Sequence, residues 1–574
     1  MIQEISKPWT KCYGDVKGSL EYSQLSMAQE FLKVAENNHD IIAYEFMGKK
    51  TTYKKAAEDV IKCAKALKAC GIKENDKITI CLPNCPAAIS MFYGVNLIGA
   101  IANMIHPLSS ENEIKFYIED SKSVAVITLD QFYGKFEEVR RTTNIPQLII
   151  GSVSDGLSAL KKIGYQATSG RKIKKVKETC DIANWKNFLN QGKYYVGPYN
   201  VNRKPEDPAV ILYSGGTTGT NKGILLSNLN FNALATQIIE MSNCFNVGDK
   251  MLAAMPMFHG FGFGVCIHTM LVNGGTCLLV PRFTVKSYAQ IIKKSKPNLI
   301  AGVPTLYEAL LRNDYLKKCD LSFLHGIFVG GDSLTVELKK RLDDYLHDHN
   351  CSASAREGYG TTECVTASCL TPYNMYKEGS IGIPLPDMYY KIVETGTQTE
   401  VPLGTEGEIC LAGPTVMIGY VNNEEETKVT KQLHQDGRYW IHTGDLGTMD
   451  NDGFIYFKQR IKRMIISSGY NIYPSTIENV LDSHPSIHLS CVIGVRDSYK
   501  MQKVKAFVVL KPGFNKNEKT KNEIMAYLKK NVAKYALPYD IEFRDELPKT
   551  VVGKVAYRLL EEEENKKLQL ATQN

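Results

Sequence analysis

Ala209-Val210-Ile211-Leu212-Tyr213 runs into Ser214-Gly215-Gly216-Thr217-Thr218-Gly219-Thr220-Asn221-Lys222-Gly223, and a second apolar run, Ile224-Leu225-Leu226, follows. The β-branched and aromatic content of the first run predicts a strand. Glycines let a backbone turn tightly and aim successive N–H groups at an anion. Hydroxyls and one lysine add neutral and charged donors, so the segment suits a polyphosphate. It departs from the ordinary P-loop, in which Gly-Lys-Ser/Thr opens a helix. Here Asn221 precedes the lysine and Gly223 follows it.

Outward from this loop, short β-rich runs recur at residues 78–82, 124–128, 299–303 and 326–329. Segments of helical period lie between them, as at residues 54–70 and 334–347. Strands alternating with helices predict a layered α/β architecture. Runs at 409–411, 454–456 and 464–466 predict a later, more antiparallel β-rich subdomain. From Ile477 the pattern becomes helix, strand, strand, helix, a compact α+β module that ends near Arg558. The expected organisation is a large N-terminal domain over 26–461, a small α+β C-terminal domain over 462–558, and a charged, frayed tail over 559–574.

At about 100–200 residues per domain, 574 residues suit such a division. Hydrophobic (44%) and charged (23%) fractions exclude whole-chain disorder, collagen and coiled coil. The net charge of +8 is too mild for a nucleic-acid footprint. The densest basic run, Arg171 to Lys177, is expected to be a solvated loop, with contact to phosphates or a membrane surface as the alternative. Fifteen scattered cysteines contain no CxxC pair, which argues against a structural zinc site and for thiols in a reducing, cytoplasmic compartment. No signal peptide fits the first nine residues. Two long uncharged stretches, 87–105 and 251–281, are broken by polar residues and glycines, so both are expected to be buried core.

Further motifs follow in order: Pro256-Met257-Phe258-His259-Gly260, Gly330-Gly331-Asp332, Gly358-Tyr359-Gly360-Thr361-Thr362-Glu363 and Gly379-Ser380-Ile381-Gly382. After them come Trp440-Ile441-His442-Thr443-Gly444-Asp445, Arg460-Ile461-Lys462, and Leu547-Pro548-Lys549-Thr550 with Gly553-Lys554. Together with the glycine-rich loop they resemble the adenylate-forming superfamily, over nearly the whole chain from about Ser26 to Arg558, with the look of a bacterial-type fatty acid–CoA ligase.

The resemblance implies ATP, Mg2+ and coenzyme A as reactants or cofactors. A carboxylate attacks the α-phosphate of ATP, pyrophosphate leaves, and the CoA thiol then takes the acyl group. An anion attacking an anion needs positioning and electrostatic stabilisation. The resemblance assigns the loop Ser214, Gly215, Gly216, Thr217, Thr218, Gly219 and Lys222 to the phosphates. It assigns Gly331, Asp332, Gly358 and Tyr359 to the adenine, Thr362 to the α-phosphate, and Asp445 with Arg460 to the ribose hydroxyls. Glu363 is the implied magnesium carboxylate. Lys554, Thr218, Glu363 and His259 are the implied catalytic set, with Lys554 bridging carboxylate and α-phosphate from the mobile domain. Lys462 takes the hinge position, and Ser468, Gly469 and Tyr470 the pantetheine channel.

The resemblance implies that amino-acid-activating relatives hold the substrate ammonium on a carboxylate just after the Pro256–Gly260 motif; residues 251–281 here hold no Asp or Glu, which argues against an amino-acid substrate. Phe258, Phe261, Phe263, Val265, Ile267 and Met270 are expected to form an apolar pocket wall, with Gly260, Gly262 and Gly264 leaving space. A long- or medium-chain fatty acid is the expected substrate. An aryl acid of the coumarate kind, or a nucleotide-binding paralogue without full activity, are the alternatives.

Overall fold

The structure, a computed structural model, describes residues 5–214, 221–282, 284–467, 470–497, 501–550 and 554–573. The strand Pro208–Ser214 stands inside an eight-stranded sheet. It pairs in parallel with Ile101–Met104 and antiparallel with Lys222–Ser227, in a register that sets Ser214 opposite Lys222. The glycine-rich loop therefore joins two hydrogen-bonded neighbours. On the far side of Lys222–Ser227, the short strand Gly419–Tyr420 completes that edge.

A nine-stranded sheet carries Leu299–Gly302, Gly326–Gly330 and Ala355–Tyr359 as parallel neighbours. Their carboxyl ends bring Gly331 and Tyr359 to one rim, where open α/β sheets bind ligands. The helix Pro86–Leu97 packs on strands of the eight-stranded sheet, and every residue from Ala88 to Leu97 is buried. A helix apolar all round needs such a place. The Phe92 and Phe263 rings pack with centroids 3.9 Å apart in this layer. Both long uncharged stretches are thus core, and among the described residues no helix is long and apolar enough to cross a membrane. All fifteen cysteines are free thiols.

The later β region is antiparallel as expected. Tyr389–Val393, Gly407–Ala412, Tyr439–Met449 and Ile455–Arg460 form consecutive pairs. One 3-10 turn, Ile461–Arg463, leads from there to the last sheet. That sheet is dominated by the long hairpin Ile487–Asp497 and Met501–Leu510. Helices Pro474–Asp482 and Glu518–Asn531 cover one face through Ile477, Leu481, Ile524 and Leu528, a hydrophobic cluster separate from the main core.

The frayed tail expected beyond Arg558 is corrected. Tyr557–Gln573 is a helix docked on the other face of the last sheet, with Leu560 fully buried beside Val495 and Phe507. Its acidic run is held by a buried cation: Lys505 Nζ lies 2.7 Å from Glu542 and 2.8 Å from Glu564. Arg544 pairs with Glu563 at 2.8 Å. A buried lysine needs compensating carboxylates, and this helix supplies one.

Candidate active site

Asp445 lies on Tyr439–Met449, and its register partner on the next strand is Arg460. The carboxylate is fully buried. Its Oδ2 accepts the Tyr359 hydroxyl at 2.6 Å. Its Oδ1 lies 3.2 Å from Arg460 Nε yet receives no hydrogen bond. Burial raises the Asp445 pKa, while the Arg460 charge and the Tyr359 hydroxyl oppose the rise. A buried oxygen with an unused acceptor suits a donor that arrives with a ligand, such as a ribose hydroxyl.

The Thr443–Asp445 bend is braced from below. Glu408 accepts the Gly444 N–H at 2.9 Å through Oε1 and bonds His442 Nδ1 at 2.9 Å through Oε2. Cys410 completes a trio of ligand atoms within 4.8 Å of one another. Both carboxylate oxygens are engaged in hydrogen bonds, so the trio is a brace for the loop.

Gly331 has φ +83°, and an added Cβ would stand 3.3 Å from Val303 Cγ1 and 4.0 Å from Lys554 Cε. The Lys554 side chain therefore reaches the rim of the nine-stranded sheet. Burial lowers its pKa, and Asp332 partly opposes the shift. The lysine is presented by a tight hairpin. Thr550 N–H donates to the Lys554 carbonyl at 2.7 Å, Lys554 N–H to Thr550 Oγ1 at 3.1 Å, and Ala556 N–H to the Pro548 carbonyl at 2.8 Å. His259 faces the same space. Its Nδ1 accepts the Phe261 N–H at 3.2 Å, which leaves Nε2–H to donate. Burial and the Lys554 charge push its pKa down to about 4, so the imidazole is neutral near pH 7.

Glu363 sits in the 3-10 turn Thr362–Cys364, with Oε1 accepting the Tyr420 hydroxyl at 2.8 Å. The Tyr420 ring in turn lies under Lys222, 5.2 Å from the ammonium, which is ion-paired with Glu426. A half-buried carboxylate linked through Tyr420 to Lys222 is a hard oxygen donor of the kind magnesium takes.

The structure thus brings together Lys222, Glu363, His259, Gly331, Asp332, Tyr359, Asp445, Arg460 and Lys554. Gly215, Gly216, Thr217, Thr218, Gly219, Ser468 and Gly469 lie outside the described residues. Tyr470 opens the strand Tyr470–Ile472, and Lys462 lies in the turn between the last two sheets. Gly358 is the register partner of Gly330, and Thr362 follows it four residues later in the 3-10 turn Thr362–Cys364. Sequence reasoning missed Tyr420, Glu426 and Glu408. Of these only the Tyr420 segment carried a signal, as the aromatic end of a short apolar run.

The glycines of the pocket wall are corrected. Phe261–His268 is a fully buried π-helix. A Cβ on Gly262 would fall 2.1 Å from the Pro256 carbonyl, and one on Gly260 2.2 Å from Thr366 Oγ1. These glycines serve close packing and leave no space. Phe263, Ile267 and Met270 belong to the main core. His268 is a satisfied core residue, bonded to Tyr93 at 2.9 Å and Asn232 at 3.0 Å.

The sequence profile described as AMP-binding enzyme matches residues 31–421, and that described as AMP-binding enzyme C-terminal domain matches 476–554. The long-chain-fatty-acid–CoA ligase of Bacillus subtilis (strain 168) is 34% identical over 565 residues, covering 97% of this chain and 98% of its own. The probable 4-coumarate–CoA ligase 3 of Dictyostelium discoideum is 29% identical, over 89% of this chain and 90% of its own. The fold matches an ATP-bound RpMatB–BxBclM chimera with a TM-score of 0.82 at 24% identity, over 94% of this chain and 99% of that one.

Proposed function

The chain belongs to the AMP-binding enzyme family, and on that premise we propose that it is an AMP-forming acid–thiol ligase acting on a long- or medium-chain fatty acid. The acid's carboxylate oxygen bonds to the α-phosphorus of ATP as the bond to the pyrophosphate oxygen breaks. The CoA thiolate sulfur then bonds to the acyl carbon, and AMP leaves with the oxygen. The observation that carries the assignment is the Lys554 side chain standing beside Gly331, between Asp332 and the Asp445–Arg460 pair.

In this assignment Asp445 Oδ1 accepts from the ribose, and the Arg460 charge opposes the rise in pKa that burial imposes on that carboxylate. Tyr359 and Gly331 offer a flat ring and an uncluttered backbone to the adenine. Lys222 exchanges Glu426 for the departing phosphates. Lys554 lies between two anions that repel each other, and neutral His259 donates Nε2–H toward the same space. Glu363 holds magnesium, which when bound neutralises charge on the phosphates. Lys462 is the pivot about which the C-terminal domain turns between half-reactions, and the segment around Tyr470 lines the thiol's path. Free thiols throughout the chain support a cytoplasmic location.

The test is acid-dependent ATP/pyrophosphate exchange and thioester formation over a panel of alkyl and aryl acids. Fatty acids are expected to exceed coumarate and benzoate by at least about tenfold in kcat/KM. Preference for an aryl acid would overturn the substrate assignment, and exchange without thioester would overturn the ligase.

A further inference from the structure

Helix Ala159–Ala167 contains no buried residue. Leu160 is 84% exposed and Ile163 65% exposed. Gly164 and Ala167 are exposed as well. Positions 160, 163, 164 and 167 share one face of a helix, the face that a globular protein ordinarily turns inward. Here it points to solvent. The opposite side anchors the helix: Tyr165 packs against the main core, and the Lys161 ammonium donates to the Met47 carbonyl.

Directly after this helix come Arg171, Lys172, Lys174, Lys175 and Lys177, all exposed. Among the described residues, only Lys174 of these five has a carboxylate within ion-pair distance, Glu137 at 3.6 Å. A cavity of about 810 Å3 beside the segment is lined by Asp130, Asp155 and Glu178 along with Arg171, Lys174, Lys175 and Lys186. Three carboxylates against four cations make the cavity a weak anion site, while exposed Lys172 and Lys177 stand outside its lining, on the same stretch of chain that presents the apolar face.

We propose that the outward face of helix Ala159–Ala167 and the basic segment 171–177 form a docking surface for an anionic lipid bilayer. Aliphatic side chains enter the interface while lysines meet the headgroups, the pairing by which peripheral helices bind. A nucleic acid would answer the charge but gain nothing from exposed Leu160 and Ile163. The inference stands on this surface alone and is independent of which acid the enzyme activates.

The test is co-sedimentation of the full chain with phosphatidylcholine vesicles, with and without roughly one-third phosphatidylserine. Binding is expected only with the anionic lipid and is expected to fall steeply between low salt and about 0.5 M NaCl. Arg171→Glu/Lys172→Glu/Lys175→Glu/Lys177→Glu is expected to weaken partitioning at least ~100-fold, since each cation contributes about fivefold. Leu160→Ser/Ile163→Ser is expected to weaken it about tenfold or more. Both variants should keep the wild-type melting temperature and the wild-type rate on acid supplied in solution. No binding, equal binding to neutral vesicles, or wild-type binding by both variants would overturn the proposal. So would concentration-dependent self-association that Leu160→Ser/Ile163→Ser abolishes while vesicles are ignored, which would make the face a protein interface.

Discussion

The ammonium of Lys222 is paired with the carboxylate of Glu426, a residue 204 positions away that arrives on the helix Glu424–Thr430. The cation at the end of the glycine-rich segment is thus held by a carboxylate. Tyr420 sits between this pair and Glu363, touching both.

Glu426→Gln removes the competing charge and keeps the shape. The apparent KM for ATP is expected to fall about two- to fivefold, the range of a partly exposed ion pair, with kcat little changed. Initial-rate ATP/pyrophosphate exchange measures it. A raised or unaltered KM would show that Glu426 does not compete with the nucleotide.

Lys554→Ala is expected to slow adenylation by about 100–1000-fold, the scale for loss of one transition-state donor. Thioester formation from supplied acyl-adenylate should be far less affected. Stopped assays of each half-reaction separate the two effects. Equal loss in both would remove Lys554 from its assigned role.

Asp445→Ala is expected to raise the apparent KM for ATP at least ~10-fold, because the buried acceptor offered to the ribose disappears. Tyr359→Phe should give a smaller rise, since it removes only the hydroxyl that orients that acceptor. An unchanged KM for Asp445→Ala would place the ribose elsewhere.

Glu357 is buried two residues before Tyr359, and burial raises its pKa from the ordinary 4.5 to about 8. A carboxyl whose folded pKa is raised binds its proton more tightly in the native state. It contributes stability that is fully present below pH 4.5 and lost as pH rises through about 8. Glu357→Gln keeps an acceptor for the Leu334 N–H, a bond of 3.2 Å in the wild type. Its denaturant midpoint should therefore lie above that of wild type at pH 8.5 and close to or below it at pH 5. Parallel curves across that range would show Glu357 to be ordinarily ionised.

Much of the large domain is legible in the chain because buried parallel strands read as short apolar runs, and residues 209–213, 299–303 and 326–329 each fall on an observed strand. The rim residues are legible because their motifs stand at the carboxyl ends of those strands. Tyr420, Glu426 and Glu408 were not, because their significance depends on partners 57, 204 and 36 positions away; the short apolar run that ends at Tyr420 marks a strand but not its partners, and no local pattern marks the two glutamates. The last helix was hidden for a different reason. Four consecutive glutamates look like a solvated tail until Lys505 is found buried opposite them. The π-helix glycines misled in the same way, since an absent side chain reads equally as a void or as close contact.

The short hairpin that carries Lys554 has little slack. Thr550 and Lys554 are bonded in both directions and Ala556 is tied back to Pro548, so the backbone of Lys554 is fixed to the segment before it. Under the proposed function, any step that moves this backbone away from Gly331 must move Pro548–Thr550 with it. The reach of the ammonium is then set by a tied pair of segments and not by one residue alone.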